Sequence, residues 1–284
     1  MELWLLFGIM CYFFYAISTC IDKYMMNLNY GVISTNIFKM FFDGVVVLTI
    51  GLIFFHLNLA GNFSFLLLLP GAIQAFSMLI YYSALKLKDV GEIMPFYQSS
   101  GILFIFLSAV VVFNEFVTIY NYFGIMLILI GVYLVLSRDG LKIPKMDKGS
   151  LLILILIPAD VISALLIKKL LFNIEPINLV IIMYFSATFF LVCFQILYRK
   201  RISDIFTGFK SKIPKIVSAS FFGSIGTLFL YSALSLGYAS KVYPLQGLNS
   251  IFIFIIALVF LKEKFYWHRL IGIVIAFFGI YLIT

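Results

Sequence analysis

Ten long apolar stretches make up most of this chain, and they decide the solvent in which it can fold. Each has about the 20 residues that a helix needs to cross the hydrocarbon of a bilayer. Only 11% of the residues are charged and 64% are hydrophobic, whereas about a quarter are charged in soluble domains. None shows the strict alternation of a membrane strand, so the sequence predicts an all-α polytopic membrane protein. The stretches lie at 2–22, 31–57, 63–86, 91–114, 117–137, 149–170, 176–198, 213–236, 240–262 and 265–284.

Little of the chain remains outside these stretches. The longest connections, 137–150 and 198–214, are too short to fold as soluble domains, and no phosphate-binding GxxxxGK[ST] motif occurs. Cys11, Cys20 and Cys193 all fall within the apolar stretches and lack the spacing of a metal or redox site. The sequence therefore predicts neither an ATP-driven pump nor a bound metal or cofactor.

The basic residues are distributed unequally between the two sides of the predicted bundle. Of the 20 Lys and Arg, 3 lie on the side of the termini, 16 lie on the other side, and Lys39 lies within a span. Because basic loops stay cytoplasmic, we expect a multi-pass plasma-membrane protein with both termini extracytoplasmic. The basic loops should face anionic lipid headgroups, not nucleic acid. The oligomeric expectation is a monomer or a homodimer.

One 14-residue segment occurs twice in similar form. YSALKLKDVGEIMP at 82–95 and YSALSLGYASKVYP at 231–244 share six of fourteen residues. Further matches follow at an offset of 148, namely Glu115 with Glu263, Gly124 with Gly272 and Gly131 with Gly279. We therefore predict a first five-helix repeat over 1–137, a cytoplasmic linker over 138–149 and a second five-helix repeat over 150–284.

An odd number of spans in each repeat has a geometric consequence. The second copy must begin on the opposite face of the membrane, so the two halves are predicted to be inverted about an axis in the membrane plane. Transporters with this symmetry alternate between outward-open and inward-open states and bind their solute between the halves. The repeated glycines, seven residues apart, are predicted to let helices approach closely.

The pattern of Pro95, Glu115, Gly124 and Gly131, with its second copy at Pro244, Glu263, Gly272 and Gly279, resembles the EamA-type proteins of the drug/metabolite transporter superfamily. Lys39 stands where that family often has Arg. The resemblance covers essentially the whole chain and implies a transporter of amino acids, their derivatives or other small metabolites, often in the outward direction. Many relatives are drawn with cytosolic termini, in contrast to the charge count here.

Asp160 is the strongest candidate for a functional side chain, because ionisable groups deep in a bilayer are costly and usually functional. Pro158 lies two residues earlier, where it frees a backbone carbonyl and can bend the helix. A carboxylate beside a loosened turn suits a proton site or a ligand for a substrate amine. The counterpart of Asp160 in the first repeat is Tyr15. A carboxylic acid that only serves helix packing is the alternative.

Other candidates lie on the second span and at the ends of the repeated segment. Lys39 and Asp43 are four residues apart, so they can pair on one helix face; a self-neutralising ion pair and a binding role stay equally open. Glu92 and Lys241 each precede the repeated proline, Pro95 or Pro244, by three residues. They are predicted either as gate elements or as half-solvated residues of a first helical turn, where Pro is tolerated.

Polar residues on the repeated helices are predicted to line a cavity or to join helices. This set consists of Gln74, Tyr82, Gln98, Ser100, Tyr231, Gln246 and Asn249.

Two further functions compete with transport. An intramembrane lipid-modifying enzyme needs a cluster of nucleophile, base or metal ligands, yet the two histidines are isolated and neither HExxH nor GxSxG occurs. A membrane scaffold would not need paired polar regions. The sequence therefore favours a secondary transporter of a small solute, an exporter by resemblance, with proton coupling as a further step.

Overall fold

The structure is a computed structural model, which describes residues 2–27, 32–57, 65–87, 90–136, 148–197, 209–260 and 267–283. Within these ranges every regular element is helical. The first half contains α1 (Leu3–Asn27), α2 (Val32–Phe54), a 3-10 turn (Phe65–Leu68) that leads into α3 (Leu69–Leu87), α4 (Val90–Phe113) and α5 (Ile119–Leu136).

The second half repeats this order with one irregular helix. It contains α6 (Lys148–Leu170), α7 (Pro176–Leu197), α8 (Phe209–Leu236), short α9 (Ala239–Val242), a 3-10 turn (Tyr243–Gln246), α10 (Gly247–Phe260) and α11 (Trp267–Ile283). The α9–α10 segment corresponds to the ninth predicted span. The described ranges thus hold a helix at each of the ten predicted spans, and the prediction of two five-helix repeats is confirmed.

The helices are suited to a bilayer. Among the described residues, five helices are long and apolar enough to cross a membrane, and three shorter segments are also apolar. Large apolar side chains cover the outer surface, for example Phe54, Phe123 and Val274. Exposing such a surface to water would cost free energy, whereas the acyl chains of a bilayer are as apolar as these side chains.

Contacts between the halves come in matching pairs. α1 packs against α8, and with the halves exchanged α6 packs against α3. In the same way α2–α8 recurs as α7–α3, and α4–α6 recurs as α10–α1. The helices α2 and α7, and likewise α5 and α11, pack on their own counterparts. The core therefore lies along a surface that both halves share.

One close helix crossing is built from the repeated glycines. A Cβ atom added to Gly131 would lie 2.5 Å from the carbonyl oxygen of Gly272, and one added to Gly124 would lie 2.7 Å from that of Gly279. Because the lower number of one helix meets the higher number of the other, α5 and α11 run antiparallel. The predicted packing role of these glycines is confirmed.

Candidate functional site

Asp160 lies at the centre of α6, where three helices meet. It is the thirteenth of 23 residues in α6 and is half-buried. The Ser77 hydroxyl of α3 donates to Oδ1 at 2.9 Å, and the Tyr97 hydroxyl of α4 donates to Oδ2. The Tyr81 ring lies 5.9 Å from the Tyr97 ring. The carboxylate is thus held by neutral donors from two other helices, without a cation bonded to it among the described residues.

Tyr15 occupies the corresponding position in the other half. It is the thirteenth of 25 residues in α1, and its ring lies against Gly226, where an added Cβ would be 2.8 Å from Cδ1. Gly226 is the repeat counterpart of Ser77, at the offset of 149 that relates α3 to α8. The pairs Asp160–Ser77 and Tyr15–Gly226 are therefore equivalent in the packing of the two halves.

The hydrogen-bond network at Tyr15 is formed by hydroxyl groups, whereas the network at Asp160 is centred on a carboxylate. The Tyr15 hydroxyl lies 2.8 Å from Thr227 Oγ1, and the Tyr184 hydroxyl of α7 lies 2.5 Å from the same oxygen. Thr227 donates its own proton to the Gly223 carbonyl at 3.1 Å. Since Thr227 has one proton, both tyrosines must donate to its oxygen. This network joins α1, α7 and α8 at the interface between the halves.

The polar residues of the repeated helices have different surroundings. Gln98 of α4 accepts from Ser250 of α10 at 2.6 Å, which links the two halves through buried groups. The Oδ1 of Asn249 is buried without a hydrogen-bond partner. The Tyr231 hydroxyl donates to Met183 Sδ at 2.8 Å. Gln74, Ser100 and Gln246 are half-buried, whereas the side chain of Tyr82 lies outside the described part of the structure.

Lys39 has a different partner from the one that helical spacing predicts. Its ammonium pairs with Asp22 of α1 and lies 3.3 Å from Ser18 Oγ. Helical spacing allows Lys39 to pair with Asp43 one turn away, but the long lysine side chain reaches the facing helix and pairs there with Asp22. Asp43 itself is 2% exposed, and its Oδ1 has no hydrogen-bond partner.

The hinge and gate candidates are only partly described. Lys241 lies in the first turn of α9, as predicted, and Pro158 lies inside α6 on an exposed face. Pro244 is the second residue of the 3-10 helix that begins at Tyr243. A first-turn position of this kind tolerates Pro, because its missing N–H would have no partner there. The side chains of Glu92 and Pro95 lie outside the described residues.

The turn between α8 and α9 is held from two sides. Glu115 follows Asn114, whose positive φ of 48° ends α4 sharply. The Glu115 carboxylate accepts from the backbone N–H groups of Ala239 and Ser240, at 2.7 Å each. Lys168 donates to the carbonyls that end α8. Glu115 is therefore a structural cap, and the short helix that it caps belongs to the other half.

Sequence reasoning missed several members of these networks. Ser77 and Tyr184 are ordinary core residues in the pattern, and no spacing marks them. Asp22 lies at the end of the first predicted span and was not among the candidate residues. A signal for it did exist, because a lysine within hydrocarbon calls for an acid on a neighbouring helix.

Comparisons with known proteins agree with this architecture. The sequence model described as "EamA-like transporter family" matches residues 2–137 and again 147–284. A solved structure titled "Crystal structure of protein" superposes with a TM-score of 0.77 at 13% identity, covering 99% of this chain and 96% of that chain. At that identity the likeness shows the fold alone. No curated protein sequence matches this chain.

Proposed function

The chain belongs to the EamA-like transporter family, and from that premise we propose that it is a secondary transporter that exports a small metabolite such as an amino acid or a derivative. One observation carries the proposal. A half-buried carboxylate, Asp160, stands at the centre of its helix and is held by hydroxyl groups from two others. Polar groups near the midplane, between repeats, are where such transporters bind their solutes.

We propose that the transport cycle is alternating access between two inverted halves. The antiparallel crossing of α5 and α11 supports inversion, because these helices correspond in the repeat. The matching contacts of the two halves support an exchange of conformations between them. Rocking one half against the other would open the Asp160 region first to one side and then to the other.

The proposed role of Asp160 is to bind a cationic group of the solute. Its oxygens accept from Ser77 and Tyr97, both neutral donors. An ammonium group that replaced one of them would form a charge-assisted hydrogen bond, which is roughly twice as strong as a neutral one. Amino acids, their amides and polyamines carry such a group. A proton carried by the same carboxylate is the alternative use, and the experiment below separates the two.

The test begins with a thermal-stabilisation screen of the detergent-purified protein against amino acids, nucleotides, sugars and polyamines. A stabilising compound is then used in counterflow and pH-driven uptake with proteoliposomes. We expect Asp160→Asn to abolish stabilisation by an amine and to abolish its counterflow. Thr49→Val is the control, since Thr49 is exposed on α2 and bonds its own helix at 2.8 Å.

Each outcome has a defined meaning. If Asp160→Asn retains counterflow but loses pH-driven uptake, Asp160 carries the proton and does not bind the amine. If neither process changes, Asp160 has no role in transport. If no compound moves across the liposome membrane, the transporter proposal itself fails, and a lipid-modifying enzyme or a scaffold becomes the better account.

A further inference from the structure

A second charged cluster lies between α1, α2 and α8, away from the hydrogen bonds of Asp160. It consists of Asp22, Lys39 and Asp43, to which Ser18 adds a hydroxyl 3.3 Å from the Lys39 ammonium. The side chains of Lys39 and Asp22 are 11% and 20% exposed, and Asp43 is 2% exposed. Two carboxylates share one ammonium. With both carboxylates ionised, the cluster would hold one uncompensated negative charge in a buried place.

The uncharged neighbours of Asp43 supply no positive charge and only a shared hydrogen-bond donor. Tyr15 of α1 and Tyr184 of α7 are close enough to interact with it electrostatically. Both tyrosines already donate their hydroxyl protons to Thr227 Oγ1, so neither can donate to Asp43. Ser220 of α8 is within hydrogen-bonding reach of the Asp43 carboxylate, and its single hydroxyl proton also points to the Lys39 carbonyl at 3.2 Å.

The charged groups near Asp43 are the two other members of the cluster. Lys39 lies one turn away on the same helix, and Asp22 lies on α1. The Lys39 ammonium is already paired with Asp22. Among the described residues Asp43 is therefore left without a counter-ion bonded to it, and the Ser220 hydroxyl beside it is shared with the Lys39 carbonyl.

Several buried polar atoms of the cluster and its surroundings have no hydrogen-bond partner. Asp43 Oδ1 and Asp22 Oδ1 are both buried without a hydrogen-bond partner. Thr35 Oγ1, one turn before Lys39 on the same helix face, is in the same condition. An anionic oxygen that has lost water and gained no donor is costly, and protonation removes most of that cost. The observation therefore points to a ligand that neutralises a carboxylate.

The size of that ligand is restricted. Both unpartnered oxygens are inaccessible to water in this conformation, so a hydrated ion cannot reach them. Calcium takes six to eight oxygen ligands, and the described residues contain no group of three or more His, Cys, Asp or Glu side chains arranged for a metal. The cation that fits beside Asp43 is a proton.

We propose that Asp43 is a proton-binding site, separate from the solute site at Asp160, and that the Asp22–Lys39 pair fixes the charge of the cluster. With the proton on Asp43, one ammonium faces one carboxylate and the cluster is neutral. When the carboxylic acid ionises, the proton passes to water on the open side and Lys39 acquires a second carboxylate one turn away. Release requires α2 to separate from α7 or α8, which belong to the other half.

The two sites are connected by aromatic side chains. Asp22 interacts electrostatically with Tyr81, whose ring lies 5.9 Å from that of Tyr97. Tyr97 in turn donates to Asp160. A change in the charge of the cluster can therefore be felt at the solute site. This coupling role rests on the proposed transport function, whereas proton binding by Asp43 does not.

Infrared spectroscopy of the purified protein in lipid tests the site directly, because a protonated carboxylic acid has a separate C=O stretching band. We expect wild-type protein at neutral pH to show this band and Asp43→Asn to lose one carboxylic acid equivalent per chain. Glu175→Gln, at an exposed loop residue, should leave the band unchanged. Lys39→Met should increase it, because Asp22 then loses its counter-ion and takes up a proton.

An unchanged band in Asp43→Asn would overturn the proposal, and so would an unchanged band in Lys39→Met. If Asp43→Asn does not fold, Asp43→Glu replaces it, and the band must then shift in frequency. The spectra require no transported solute. If the band behaves as expected while no compound moves across liposomes, the proton site stands and the transport function fails.

Discussion

Lys168 illustrates how a charged residue persists in an apolar bundle. Translocon-based scales put the cost of a lysine at a helix centre at about 2.5–3.5 kcal/mol. Lys168 is 6% exposed, yet its ammonium donates to the carbonyls of Leu234 at 2.6 Å and Gly237 at 2.8 Å. The last carbonyls of a helix lack partners within it, and they carry the negative end of the helix dipole. The charge thus serves as the C-terminal cap of α8.

Replacing this lysine should destabilise the fold. In Lys168→Met the carbonyls of Leu234 and Gly237 lose their donor, at a cost of about 1–3 kcal/mol. Thermal unfolding of the protein in detergent measures the loss. Lys169→Met is the matched control, because the neighbouring side chain is exposed. Equal unfolding temperatures for the two variants would contradict the cap.

At the scale of elements, α5 and α11 are joined by backbone approach through their glycines. Gly131 faces the Gly272 carbonyl, and Gly124 faces the Gly279 carbonyl, so each helix supplies the groove for the other. Dispersion contacts of this kind are a main source of helix association in lipid, where the hydrophobic effect does not act between helices.

A single methyl group should disturb this crossing. In Gly131→Ala the new Cβ would meet a backbone oxygen that cannot move without its helix, and overpacking of this kind costs about 1–3 kcal/mol. Gly101→Ala on α4 is the control, since a Cβ there meets no atom within 4 Å. The unfolding temperatures of both variants are compared with that of the wild type. An unchanged unfolding temperature in Gly131→Ala would show that the crossing is not tight.

At the scale of the whole molecule, Glu115 and the Gln98–Ser250 pair link the two halves on their shared surface. The Glu115 link lies at the end of the bundle where α4 and α8 finish. Because it joins elements of different halves, we infer that it must break if the halves separate there. The inference depends on opposite orientations of the halves in the membrane.

That orientation can be measured with single cysteines in a variant whose native cysteines are replaced by serine. We expect Glu2→Cys to react with a membrane-impermeant maleimide on intact cells and Ile143→Cys, in the linker, to react only after permeabilisation. The first five-helix half would then cross the membrane an odd number of times, so the second half would begin on the opposite side. The reverse pattern would keep the inversion and reject the charge-based direction. Labelling of both from one side would reject the inversion.

Much of the fold could be predicted because its causes are local. Apolar length fixes where helices must lie in a bilayer, and the described helix bounds agree with the ten predicted spans within a few residues. The repeat predicted which helices correspond, and Tyr15 was identified as the counterpart of Asp160 from its equivalent depth in the first span. The candidate site was predicted less well. Asp160 was identified from its charge, whereas Ser77 and Tyr97 became its partners only through packing.

The sequence by itself determined the solvent, the helices, the two repeats and the family, because these depend on composition and on spacing along one chain. Only the tertiary structure decided which polar side chains pair with one another. In the packed structure the Lys39 ammonium pairs with Asp22 and not with Asp43, and the Glu115 carboxylate caps a helix of the other half. The physical reason is reach. A long side chain on one helix can meet several neighbours, and only the packed arrangement of helices selects among them.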